Sequence, residues 1–142
     1  MADRVLAAAG GDLSGKTVAV LGLTFKPNTD DMRESPSLEI VPALQNAGAT
    51  VRAFDPEGME EAKSLLNHVI WCDGAYDTMT GADALVIITE WNEFRALDLE
   101  RVKSLMKSPL MVDLRNIYEP AAMIDKGFDY HSIGRPTDAE RG

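Results

Sequence analysis

The sequence has 142 residues, 45% hydrophobic and 26% charged, which is enough to build the core of one domain and too apolar for disorder driven by composition. Its 23 acidic residues outweigh 14 basic ones, and the formal net charge of −9 gives a surface that repels nucleic acid and anionic membrane. The single cysteine, Cys72, permits no intrachain disulfide and suits a reducing cytoplasm; no apolar run approaches the roughly 20 residues of a membrane span, and Met1-Ala2-Asp3-Arg4 does not read as a signal peptide.

In chain order, Val5–Ala9 reads as a short helix stopped by Gly10-Gly11, and Thr17–Leu23 as a buried strand. Ser35-Pro36 reads as an N-cap with proline at the first helical position. The helix then carries Leu38, Ile40, Val41 and Leu44 on one face and stops at Gly48. A strand at Thr50–Phe54 ends in Asp55-Pro56, an amphipathic helix covers Glu57–Leu66, and a short strand covers Val69–Cys72. Tyr76–Thr80 is a helical turn and Ala84–Thr89 the most apolar strand. Asp98–Met106 is a helix, Leu110–Leu114 a strand, Pro120–Lys126 a helix and Tyr130–Ile133 a last strand, before a frayed tail.

Strands that alternate with helices predict an α/β, Rossmann-like, doubly wound, mostly parallel six-stranded sheet with helices on both faces. Ligands of such sheets bind beyond the carboxyl ends of the strands. Three segments bring polar residues there: Thr24–Arg33, Glu90-Trp91-Asn92 and Arg115-Asn116. The first occupies the place of a dinucleotide fingerprint, yet in "GLTFKPNTDDMRESPS" only Gly22 of the three glycines is present. A side-chain cation can replace the lost backbone cradle. Lys26 offers a point charge, Arg33 and Arg115 planar forks, and the helix start at Pro36 some positive potential.

Plainer readings stand beside these. Lys26 can be a solvated loop lysine, and Arg33 can simply pair with Asp30 or Asp31. Asp55 can mimic a ribose-binding acid or merely start an Asp-Pro turn. His68 and His131 have no partners at metal-ligand spacing and read as structural. Cys72 reads as an inert buried thiol, Trp91 and Phe94 as packing, and neither Glu34 nor Glu90 has a partner that nominates a general acid.

The segments "VAVLGLTFKPNTDDMRESPS", "ADALVIITEWNEFR", "MVDLRNIYEP" and "YHSIGR" together resemble the C-terminal domain of the UDP-glucose/GDP-mannose dehydrogenase family. "TEWNEF" with "DLRN" most resembles its bacterial UDP-glucose 6-dehydrogenases. The resemblance implies a domain that holds the nucleotide diphosphate of a UDP-sugar within an oxidoreductase of polysaccharide biosynthesis. That enzyme oxidises UDP-glucose to UDP-glucuronate and reduces two NAD. The resemblance assigns Phe25, Lys26 and Arg115 to substrate and Arg33 to NAD. It implies an NAD-binding domain of the same enzyme as partner, and a homodimer built on a long central helix. Residues 1–12 would be the remnant of that helix, 13–135 the UDP-binding domain and 136–142 the tail. The family's cysteine nucleophile lies in a glycine-rich segment with no counterpart here, since Cys72 sits in "HVIWCDG". No residue of this chain is therefore assigned to catalysis or to a metal, and the chain alone is expected to bind without turnover. A stand-alone Rossmann-like regulatory module, or the same domain of a GDP-mannose or UDP-N-acetylmannosamine dehydrogenase, are the alternatives.

Overall fold

A computed structural model describes residues 2–24, 32 and 35–132. The sequence assignments for Phe25, Lys26, Asp30, Asp31, Arg33, Glu34, the last residue of the final strand and the tail lie outside the described residues.

Six strands form one sheet: β1 (Thr17–Leu21), β2 (Thr50–Phe54), β3 (Ile70–Trp71), β4 (Ala84–Ile87), β5 (Leu110–Asp113) and β6 (Asp129–Ser132). Their order is β3-β2-β1-β4-β5-β6, and every neighbouring pair is parallel. This is the doubly wound order whose switch point lies between β1 and β4. Seven helices among the described residues connect the strands: α1 (Ala2–Ala9), α2 (Ser37–Asn46), α3 (Met59–Lys63), α4 (Ala75–Met79), α5 (Asn92–Arg95), α6 (Leu99–Leu105) and α7 (Pro120–Asp125).

Alternation along the strands builds two apolar layers. Val18 and Val20 of β1, Val51 and Ala53 of β2, and Val86 of β4 face one side, where they pack with Val5 of α1, Ile40 and Leu44 of α2 and Ala62 of α3. Ala19 and Leu21 with Leu85 and Ile87 face the other side, against Met79, Phe94, Val102 and Met123 of α4, α5, α6 and α7. Helices thus cover both faces, as the pattern predicts, and the sheet is wholly parallel rather than mostly so.

Departures from the predicted boundaries have local causes. β1 stops at Leu21 because Gly22 turns the chain with φ +87°. α3 starts at Met59 rather than Glu57, after a turn in which the Asp55 carboxylate holds the N–H groups of Glu57 and Gly58, and it ends at Lys63 rather than Leu66. The unpredicted helix α5 is a single turn, too short for periodicity to reveal. α2 begins at Ser37 with Pro36 at its N-cap, one residue later than the Ser35-Pro36 signal places it, although Pro36 already has helical dihedrals and the Ser37 N–H donates to Ser35 Oγ at 3.2 Å.

Candidate functional site

Two buried carboxylates organise the carboxyl ends of the strands: Asp55 ties those of β1, β2 and β4, and Asp113 ties that of β5 to β6. Asp55, which follows β2, is 1% exposed. Its Oδ2 accepts from the N–H of Leu23 at 2.7 Å, the N–H and Oγ1 of Thr24 at 3.1 and 3.2 Å, and Trp91 Nε1 at 3.2 Å. Its Oδ1 accepts from the N–H groups of Glu57 and Gly58. The turn-starting reading of Asp55 is therefore the correct one. Six donors fill the carboxylate, leaving it no lone pair for a ribose hydroxyl. With no glycine following Gly22 in the fingerprint positions, this turn does not fit the pyrophosphate and ribose of NAD.

Gly22 permits a close approach across the switch point. A Cβ there would lie 2.6 Å from Thr89 Cβ, so a side chain is excluded. Thr89 Oγ1 donates to the Thr24 carbonyl at 2.6 Å, joining the end of β4 to the stem of the loop after β1. The Leu23 carbonyl accepts from the hydroxyls of both Ser35 and Ser37, at 2.6 and 2.7 Å. Both stems of the segment between Thr24 and Ser35 are thereby fixed to each other, and Met32 within it is buried in the first apolar layer.

Asp113, the last residue of β5, is fully buried. Its Oδ1 accepts from the Arg115 N–H at 2.9 Å, and its Oδ2 from the Ile117 N–H at 2.9 Å and the Tyr130 hydroxyl at 2.6 Å. Asn116 adopts a left-handed conformation, φ +57°, and its side-chain oxygen accepts from the Ser132 hydroxyl. The Tyr118 hydroxyl donates to the Phe94 carbonyl; burial, then the charges of Asp113 and Tyr76, push its phenol well above the ordinary range against a smaller opposing effect of Arg95.

This turn aims Arg115 away from its own strand and across the end of β4. Its Nε donates to the Ile88 carbonyl at 2.8 Å and lies 3.5 Å from Glu90 Oε2, with both side chains about a quarter to a third exposed. The second and third predicted segments therefore meet, and Glu90 is a partner of Arg115 that the sequence did not reveal. Trp91 and Phe94 are core residues as predicted, although the indole N–H also ties the β4 loop to Asp55. Sequence reading missed Asp113, Thr89 and the Ser35–Ser37 pair as organisers. The signals available were a carboxylate directly before Arg115 and the hydroxyls that flank the Thr24–Ser35 segment.

The remaining candidates fall outside the crevice. Cys72 is buried just past the carboxyl end of the edge strand β3, its Sγ near the Ile70 carbonyl. His68 is an exposed turn residue with φ +60°, and His131 Nε2 pairs with Asp129 Oδ1 at 2.9 Å. Among the described residues no group of His, Cys, Asp and Glu could hold a metal, and no helix is long and apolar enough to cross a membrane.

Residues 19–120 match the family profile described as UDP-glucose/GDP-mannose dehydrogenase family, UDP binding domain. A UDP-glucose 6-dehydrogenase of Rhizobium meliloti is 60% identical over 136 residues, covering 96% of this chain and 31% of that protein. The Bacillus subtilis UDP-glucose 6-dehydrogenase TuaD is 43% identical over 127 residues, 89% of this chain and 28% of that protein. Among solved structures, a UDP-glucose dehydrogenase from Pyrobaculum islandicum superposes with a TM-score of 0.76 at 30% identity, covering 94% of this chain and 28% of that one. A UDP-D-ManNAc dehydrogenase from Pyrococcus horikoshii gives 0.73 at 32% identity, covering 94% of this chain and 30% of that one. The chain thus spans about a third of the length of the curated relatives it matches. These matches show that the chain belongs to the UDP-glucose/GDP-mannose dehydrogenase family and corresponds to its UDP binding domain.

Proposed function

We propose that this chain holds the uridine diphosphate of UDP-glucose at the β1/β4 switch point, as part of an NAD-dependent UDP-glucose 6-dehydrogenase. The observation that carries the reading is Arg115. Its guanidinium leaves β5 and lies over the end of β4, beside the stem at Thr24 that leads within two residues to Lys26. Arg115 supplies a delocalised charge for the diphosphate and Lys26 a compact one. Phe25 contributes an apolar contact. The preference for UDP-glucose over other nucleotide sugars rests on the 60% identical relative.

In the full enzyme the alcohol at the sugar's C6 becomes a carboxylate: it loses two hydrides, which two NAD accept, takes its second oxygen from water, and releases protons to solvent. This chain's turns do not fit NAD, so that cofactor belongs to another domain, with Arg33 reaching toward it. Residues 1–12 are read as the end of the helix that joins the two domains and pairs two subunits into a homodimer. Such an enzyme works in the cytoplasm, on nucleotide sugar destined for polysaccharide.

The test is a titration of the isotope-labelled chain with UDP, followed by NMR into the millimolar range because half of the cleft belongs to the rest of the enzyme. Shifts are expected at the N–H groups of Leu23, Thr24 and Arg115 and at the Trp91 indole. No saturable shift, or shifts confined to the opposite end of the sheet, would refute the reading.

A further inference from the structure

We propose that the turn between β2 and α3, Asp55-Pro56-Glu57-Gly58, is a positioning device for the ligand loop after β1, acting through Thr24. The inference rests on the UDP-binding reading above. One buried carboxylate fastens two loops: Oδ2 takes the N–H groups of Leu23 and Thr24, and Oδ1 takes those of Glu57 and Gly58. Thr24 is also held from the opposite side of the switch point, where its carbonyl accepts from Thr89. Trp91 Nε1 reaches the same carboxylate from the β4 loop, so both loops that border the crevice take their position from Asp55.

Gly58 completes the device sterically. A Cβ on Gly58 would lie 2.3 Å from Thr24 Cγ2, far inside contact distance, while the backbone there, φ −98°, suits any residue. The turn therefore presses against Thr24 only because residue 58 lacks a side chain. Asp55 and Gly58 are buried and saturated, so neither meets the ligand. Their effect on it must pass through the residue that precedes Phe25 and Lys26.

The discriminating variants are Gly58→Ala and the double variant Gly58→Ala/Thr24→Ser. The first pushes Thr24 aside. The second removes the clashing methyl and keeps the hydroxyl that donates to Asp55. In the UDP titration of the whole chain, Gly58→Ala should weaken affinity about tenfold or more, since a misplacement of about 1 Å in a functional group can cost about a hundredfold, and the double variant should recover most of it. Asp55→Asn, which turns one acceptor into a donor facing N–H groups, should weaken UDP binding as well, with thermal unfolding recorded in parallel. Should Asp55→Asn not fold, the Gly58 pair decides. Wild-type binding with Gly58→Ala unchanged in affinity, or a loss that Thr24→Ser does not repair, overturns the inference while leaving the UDP reading intact. A wild type that does not bind UDP overturns both.

Discussion

Arg115 shows how the backbone beneath a side chain sets its direction. Asp113 and the left-handed Asn116 fix a turn that sends the guanidinium over β4 rather than along β5. If Arg115 and Lys26 share a diphosphate, replacing either with alanine should weaken UDP binding by about 1.5–3 kcal/mol, the range for hydrogen bonds to charged groups, and the loss should shrink in high salt. Calorimetry on the full-length enzyme measures it, and unchanged affinity in both variants would return them to surface cations. Arg33→Ala should there raise the requirement for NAD more than for UDP-glucose; steady-state kinetics giving equal shifts would favour a pairing with Asp30 or Asp31. Glu93 offers a pH-dependent check on Asp55. Partial burial, and then the negative charge of Asp55, raise its carboxyl pKa above the ordinary 4.5. A carboxyl that keeps its proton longer in the folded state loses stability for the fold as pH rises from that ordinary value through the raised one. Glu93→Gln should therefore raise the melting temperature slightly at pH 7 and less at pH 4. The gain should stay within about 0.5 kcal/mol, because the side chain is mostly exposed.

Among the elements, those with long apolar runs were legible in the sequence and those set by single polar side chains were not. β1, β4 and β5 announced themselves as buried parallel strands, and the helices of α2, α6 and α7 followed from their spacing and caps. α5 and the true start of α3 were invisible because a four-residue turn has no period and because Asp55 acts from outside the helix it precedes. For the candidate site, the sequence shows Arg115 and the strand ends that border the crevice as candidates, but not Glu90 as a neighbour of Arg115 or Asp113 as the acceptor of its N–H, which only the fold shows. Two substitutions test the elements. Gly22→Ala should lower stability by about 2–5 kcal/mol, since it combines a left-handed backbone with a collision against Thr89. A shift in urea midpoint at constant slope would register it. Asp98→Ala should cost about 1 kcal/mol, because the Asp98 carboxylate caps α6 by accepting from the N–H groups of Glu100 and Arg101.

At the scale of the whole molecule, the net charge of −9 opposes anions over the surface at large, and under the proposed function the strand ends around Arg115, which lies beside Glu90, are where one would be admitted. The chain alone should produce no NADH from UDP-glucose, because its single thiol is buried at the edge strand β3, two strands from β1. Steady absorbance growth at the NADH band would contradict this. The order β3-β2-β1-β4-β5-β6 also sets a schedule for biosynthesis. β1 finds its first neighbour once Phe54 has left the ribosome, but its other edge stays bare until β4 emerges at Ala84–Ile87. The contact that closes this gap, Thr17 N–H to Asp83 Oδ2, joins residues 66 positions apart. A nascent chain halted between those points would carry an apolar strand with one open side, the template for pairing with another copy of itself. Translation from β2 through β4 is thus the interval in which a pause would most readily turn folding into aggregation.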